Sequence, residues 1–216
     1  MDNIKAVIFD IDGTLTTKNS WIYLTENLGG SVKEFLSIYK AGLTGEISHT
    51  EANIQLRDIW FRTGKATKNK FTQVFESIPL RAEATDLMEY LNAKKYLLTL
   101  ITGSMDMFAE IIAKRLGVTS YYANTELIWN KTGELLETKY DYNQVSRKLK
   151  QLEIFCKENN LVPKECAVVG DSQNDLEIFR STGNGILLET GLEDTAELKK
   201  VCWKKINNLK ELEQIL

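Results

Sequence analysis

The stretch Lys5-Ala-Val-Ile-Phe-Asp10-Ile-Asp12-Gly13-Thr14-Leu15-Thr16 limits what this chain can fold into more than any other. Ala6 to Phe9 is a short apolar run, β-branched at Val7 and Ile8, and a glycine-containing turn ends it. Such a run reads as a strand buried on both faces, the signature of a parallel sheet covered by helices. Asp10 then falls at the carboxyl end of that strand and Asp12 two residues beyond. Ligands of open parallel sheets bind in the crevice outside those ends. Two carboxylates there can share a divalent cation, or divide nucleophilic and acid–base work. A polar strand end with an Asx turn at Asp12-Gly13 is the plainer explanation, so the rest of the chain must decide.

The pattern after Thr16 becomes helical. Trp21, Leu24 and Leu28 share a face, Gly29-Gly30 stops that helix, and Ser31 is placed to cap the next. Val32, Phe35, Tyr39 and Leu43 continue the spacing, and Ile54–Phe61 and Phe71–Ile78 form two further amphipathic stretches. Residues 17–79 therefore read as an inserted helical-bundle cap closed by Pro79, with residues 1–16 and 80–216 as an α/β core. Basic residues slightly outnumber acidic ones across the cap, which favours an anionic substrate.

From Arg81 helices and strands alternate with short connections: a helix on Ala84, Leu87, Met88 and Leu91; a strand Tyr96–Ile101; a helix Met105–Leu116; a short strand Tyr121–Ala123. A hairpin turns at Asn130-Lys-Thr-Gly133, and a long helix carries Val145, Leu149, Leu152 and Phe155. The strand Cys166–Gly170, a helix over 173–181, a strand Ile186–Leu188 and a terminal helical stretch complete the chain. This alternation predicts a doubly wound, Rossmann-like parallel sheet.

Composition narrows the chemistry. The net charge is -3 among 216 residues, which argues against a broad nucleic-acid footprint, since that would need a basic face. The apolar runs are far short of a membrane span, and no signal-like segment opens the chain, so the cytoplasm is the expected location. The three cysteines, Cys156, Cys166 and Cys202, fit no metal or redox spacing and read as reduced thiols. His49 is the single histidine, which removes Ser-His triads and histidine metal clusters. The chemistry must run on carboxylates, hydroxyls and amines.

Three predicted strands end in polar clusters: Asp10 with Asp12, Thr102-Gly103-Ser104, and Gly170-Asp171-Ser-Gln-Asn-Asp175. Parallel topology places these ends on one rim. Thr102 offers a hydroxyl, Gly103 a close backbone, and the following helix free N–H groups for a phosphate. Ser104 alternatively serves as that helix's N-cap. Ser172-x-x-Asp175 matches a capping box, yet that leaves Asp171 unexplained. Crowded carboxylates repel unless a cation compensates them, and an oxygen-only set suits Mg²⁺. Lys148 could reach the rim to neutralise a phosphoryl group, with Arg147, Lys150 and Lys139 as rivals. Trp21, Tyr23, Trp60 and Phe61 are either bundle core or a pocket wall facing the site.

Asp10-Ile-Asp12-Gly-Thr-Leu-Thr resembles the first motif of haloacid dehalogenase superfamily phosphatases, Thr102-Gly-Ser the second, and Gly170-Asp171-Ser-Gln-Asn-Asp175 the fourth; Lys148 best fits the lone lysine of the third. The helical insertion is similar to that of the phosphoserine phosphatase-like branch. The resemblance implies a phosphatase for a small phosphorylated metabolite, a monomer or homodimer, with Asp10 as nucleophile and Asp12 as acid and base. It implies Mg²⁺ held by Asp10, Asp171 and the backbone carbonyl of Asp12, with Asp175 in support, and phosphate bound by Thr102, Gly103 and Lys148. The stretch Thr16-Thr-Lys-Asn19-Ser-Trp21 lacks the glutamate that phosphoserine phosphatases place there, and no acid precedes Glu26. Other readings of the same residues are a phosphotransferase, a catalytically idle binding protein on this fold, or a receiver domain, which is shorter and lacks a helical insertion.

Overall fold

A computed structural model of the chain describes residues 4–191 and 195–216. Seven strands among them form one sheet: β1 (Ala6–Phe9), β2 (Leu97–Met105), β3 (Ser120–Trp129), β4 (Leu135–Tyr140), β5 (Cys166–Gly170), β6 (Gly185–Leu188) and β7 (Lys204–Ile206). Their spatial order is β4-β3-β2-β1-β5-β6-β7. All neighbours are parallel except β3 and β4. The chain lays strands outward from β1 to β4, then returns to β5 on the other side of β1. That reversal puts the topological switch point at the carboxyl end of β1, where Asp10 sits.

Alternation along each strand splits the core in two. Val7, Phe9, Ala167, Val169, Ile186 and Leu188 face one way, towards α5 (Ala84–Ala93) and α6 (Asp106–Leu116). Ala6, Ile8, Cys166, Val168 and Leu187 face the other, towards α7 (Gln144–Glu158), α8 (Leu176–Thr182) and α9 (Ala196–Val201). Every β1 side chain is fully buried, as its uninterrupted apolar run requires, each large one contributing roughly 1.5–3 kcal/mol. Cys156 and Cys166 are free thiols, with sulfurs 3.8 Å apart.

Between β1 and α5 run four helices: α1 (Ser20–Leu28), α2 (Val32–Thr44), α3 (His49–Phe61) and α4 (Lys68–Ser77). Asn19, Ser31, Ser48 and Thr67 cap their N-termini through side-chain oxygens. The apolar interior of these helices is continuous with one core layer of the sheet. Phe75 meets Phe108 with ring centroids 5.1 Å apart, and Phe71 meets Trp129 edge-on at 5.1 Å. Entering and leaving segments pair at Thr16 and Leu80, and Arg81 donates to the carbonyls of Thr14 (2.9 Å) and Gly13 (2.6 Å). No described helix is long and apolar enough to cross a membrane.

Several expectations change. The strand expected at 96–101 runs on to Met105, carrying Thr102 and Ser104 within it. The short strand expected at 121–123 extends over Ser120–Trp129 as β3, up to the hairpin turn. The terminal stretch expected to be helical contains β7, paired to β6, and a 3₁₀ turn over Leu209–Gln214. The helix expected from 173 opens as a 3₁₀ turn, Gln173–Asp175, before α8.

Candidate active site

The register lines up the three strand ends. Phe9 pairs with Leu100 of β2 and with Val169 of β5, so Asp10 emerges between them, and its amide donates to the Val169 carbonyl at 3.0 Å. Asp171 follows β5 directly. Gly13 adopts φ +81°, and a Cβ there would lie 2.2 Å from Asp171 Oδ2. Glycine thus supplies both the left-handed turn and the room for the turn to lie against Asp171. The Thr14 hydroxyl donates to Asp171 Oδ1 at 2.9 Å.

Lys148, one turn into α7, is only 1% exposed. Its ammonium lies 3.0 Å from Asp10 Oδ1 and 2.7 Å from Asp175 Oδ1. Of the four basic candidates it alone enters the site; Lys139 pairs with Glu126 at 3.4 Å, and Arg147 and Lys150 are exposed. Asp175 does two jobs. One oxygen accepts from Lys148 and the other from the Ser172 amide at 3.4 Å, so the capping geometry and the ion pair coexist.

Asp12 points elsewhere, towards the start of α1. Ser20 donates to it twice, from its amide to Oδ1 (2.9 Å) and from its hydroxyl to Oδ2 (2.6 Å). The Ser20 hydroxyl also meets the Ser104 hydroxyl at 2.5 Å. Ser104 is therefore not a helix cap: the N-cap of α6 is Met105, and the Met107 amide is taken by the Asp106 carboxylate at 2.7 Å. That amide is not the free donor expected for a phosphate. Thr102 is fully buried, its hydroxyl accepting from the Ser104 amide at 3.2 Å. At Gly103 a Cβ would meet Gln144 Oε1 at 2.2 Å. Gln144 also donates to the Tyr39 hydroxyl at 3.2 Å and to that of Tyr140, linking α2, β4 and the strand-end loop.

Burial dominates the electrostatics. It pushes the Asp12 carboxyl up to about 7, with Ser20's hydrogen bond pulling down and Asp10's charge pushing further up. Asp171 is raised to about 8 by burial and by the charges of Asp10 and Asp175. Asp175 is raised by burial, with Lys148 opposing. Burial works against the Lys148 ammonium, but Asp10 and Asp175 outweigh it and hold the group firmly protonated.

The carboxylates of Asp10, Asp171 and Asp175 are all buried, with oxygens within 4.8 Å of one another. Asp10 Oδ1 has no aligned hydrogen bond, although the Lys148 charge is near. Three carboxylates against one ammonium leave an uncompensated negative site whose donors are all oxygen, a set that fits a hard divalent cation such as Mg²⁺. The Asp12 carboxylate is outside this triad.

A cavity of about 430 Å³ opens above these groups. Asp10, Asp12, Thr102, Gly103, Lys148 and Asp171 form its floor; Trp21, Phe35, Leu36, Tyr39, Leu43 and Leu56 line the side formed by α1, α2 and α3. The four aromatics singled out in the sequence divide. Trp60 is buried core, and Trp21 stacks on it at 5.8 Å while lining the cavity. Tyr23 bonds Ser77 at 3.4 Å, and Phe61 lies under Arg57. Arg57 does not line the cavity; it donates to the Leu136 carbonyl at 3.2 Å and pairs with Asp58 at 3.1 Å. Sequence reasoning missed Ser20, Thr14, Gln144 and Arg81. The Thr14 hydroxyl lay within the first motif, and the other three carry no local signal.

Comparison with known proteins agrees with this geometry. Residues 4–183 match the model of the haloacid dehalogenase-like hydrolases. The chain is 30% identical over 182 residues to a phosphoserine phosphatase of Lactococcus lactis, covering 83% of this chain and 81% of that one. It is 25% identical over 187 residues to one from Albidiferax ferrireducens, covering 85% and 78%. The same fold appears in a solved phospho-aspartyl intermediate analogue of phosphoserine phosphatase, with TM-score 0.76, 21% identity and full coverage of both chains. The chain belongs to the haloacid dehalogenase-like hydrolases and is similar in sequence to the phosphoserine phosphatases among them.

Proposed function

We propose that the protein is a Mg²⁺-dependent phosphatase that hydrolyses a small phosphomonoester through an aspartyl-phosphate on Asp10. One observation carries this reading. On the floor of one cavity a buried carboxylate, Asp10, whose Oδ1 accepts no aligned hydrogen bond, stands beside a carboxyl, Asp12, that burial raises to about 7, so that it can both give and take a proton near neutrality.

Asp10 attacks phosphorus, and the bond from phosphorus to the alcohol oxygen breaks as Asp12 gives its proton to that oxygen. Asp12, now a carboxylate, takes a proton from water. The water oxygen attacks phosphorus, the bond to Asp10 breaks, and inorganic phosphate leaves. Ser20 holds Asp12 in place for both proton transfers. The Thr102 hydroxyl, the Gly103 amide and the Lys148 ammonium bind the phosphoryl oxygens, in a site where dehydration strengthens each contact. Asp10, Asp171 and Asp175, with the Asp12 backbone carbonyl, would hold Mg²⁺, which supplies Lewis acidity and relieves repulsion between carboxylate and phosphate. The helices of residues 17–79 serve as the cap that shields the reaction from solvent.

The test is phosphate release from a panel of phosphomonoesters, with Mg²⁺ and with EDTA, for wild type and Asp10→Asn. Mg²⁺-dependent release that Asp10→Asn abolishes supports the reading. Equal release by that variant overturns it, and phosphate passed to an added alcohol instead of water identifies a phosphotransferase.

A further inference from the structure

We infer that the substrate is the phosphate ester of an uncharged, apolar alcohol, seated against the cap side of the cavity; this rests on the phosphatase reading above. The wall that faces the phosphate floor is made by α2. Phe35, Leu36, Tyr39 and Leu43 recur at helical spacing along it, and all four line the cavity. Leu36 is 44% exposed and Leu43 53% exposed, so two large apolar side chains are bared where a leaving group would lie. Trp21 and Leu56 extend the same wall from α1 and α3.

Charge points the same way. The carboxylates lining the cavity are Asp10, Asp12 and Asp171, all on the floor and all committed to phosphate, proton or cation. On the cap side the lining charge is a cation, Lys18. Among the described residues a leaving group carrying an ammonium would have no anion to meet there, and a half-desolvated unpaired charge is costly. Trp21 is not free to form a cage around a quaternary ammonium. One ring face stacks on Trp60, and Phe35 and Tyr140 pack against it at 6.0 and 5.4 Å. An apolar group on Leu36 and Leu43 instead covers surface that water now wets.

The experiment compares kcat/KM for benzyl phosphate, phosphoserine, phosphoethanolamine and phosphocholine, in wild type, Leu36→Glu and Leu43→Glu. Both leucines are exposed enough for the variants to fold, and the ratio between substrates is an internal control. Benzyl phosphate should lead the amines by on the order of tenfold or more. In each variant the ratio of benzyl phosphate to phosphoethanolamine should fall by at least about tenfold, because a carboxylate replaces an apolar contact and offers a partner to the ammonium. Preference for phosphoserine, phosphoethanolamine or phosphocholine in the wild type overturns the inference and leaves the phosphatase reading standing. An unchanged ratio in both variants does the same. Absence of Mg²⁺-dependent release from every substrate overturns the phosphatase reading, and the inference falls with it.

Discussion

Ser20→Ala is the sharpest probe of the acid–base step. The Ser20 hydroxyl donates to Asp12 Oδ2 at 2.6 Å, inside a buried site, and favours the ionised carboxylate. The Ser20 amide bond to Oδ1 at 2.9 Å is untouched by the substitution, and Asn19 still caps α1, so the local fold persists. A hydrogen bond to a charged group is worth about 1.5–3 kcal/mol. At 1.36 kcal/mol per pH unit, its loss raises the Asp12 pKa by about 1–2 units. Attack on substrate requires protonated Asp12, so kcat/KM declines as pH rises through that pKa. The basic limb of the profile should therefore move to higher pH by about 1–2 units in Ser20→Ala. Benzyl phosphate is the assay substrate, because its alkoxide leaving group needs the proton, and saturating Mg²⁺ is kept constant. Titration of the substrate phosphate is common to both proteins and cancels. A basic limb that stays in place, or moves down, refutes the assignment of Asp12 as the acid and of Ser20 as the group that positions it.

Two further predictions follow from the floor of the site. Gly13→Ala places a methyl 2.2 Å from Asp171 Oδ2 at a φ of +81°. The backbone strain alone costs about 1–3 kcal/mol. A lowered Tm together with loss of the Mg²⁺-induced rise in Tm is expected by thermal denaturation; a normal Mg²⁺ response would contradict the placement of Asp171. The second concerns pH. Folded-state values of about 7 for Asp12 and about 8 for Asp171 lie above the ordinary 3.8. Their contribution is fully present below pH 3.8 and is lost as pH rises through 7 to 8, while Lys148 titrates above that window. In EDTA the Tm should fall between pH 5.5 and 8, and Mg²⁺ should raise it more at pH 8 than at 5.5. An equal or opposite Mg²⁺ effect at the two pH values would count against a cation compensating these carboxylates.

The residues at the rim were legible in the sequence because the signals are local. An apolar run marks a buried strand, and although a turn at Asp12-Gly13 or a capping box at Asp175 could each stand alone, the recurrence of acids at two strand ends singled out Asp10, Asp12, Asp171 and Asp175 before any geometry was known. Lys148 was legible by its position on a helix ahead of β5, though only burial between Asp10 and Asp175 separates it from Arg147 and Lys150. Ser104 was open to misreading because a serine before a helix usually caps it. Here the strand extends through it, and its hydroxyl meets Ser20, 84 residues away in sequence. Ser20, Gln144 and Arg81 act through contacts set by how the helical insert meets the sheet, which no periodicity reports. Strand β7 was missed because Lys204 and Lys205 hide its pattern: they are exposed at the sheet edge, and only Ile206 is buried. Charged residues on an edge strand protect it from pairing with other chains, at the cost of its strand signature.

The central claim is that Asp10 carries the phosphoryl group, and the direct measurement is the mass of the protein after brief exposure to substrate and Mg²⁺ followed by acid quench. Asp12→Asn removes the base that activates water, so with p-nitrophenyl phosphate, whose leaving group departs without a proton, the intermediate should accumulate in that variant. The account predicts a phosphoryl adduct on the peptide containing Asp10, absent when Asp10→Asn is added. An adduct on a serine or threonine, or continued turnover with Asp10 replaced, would contradict it.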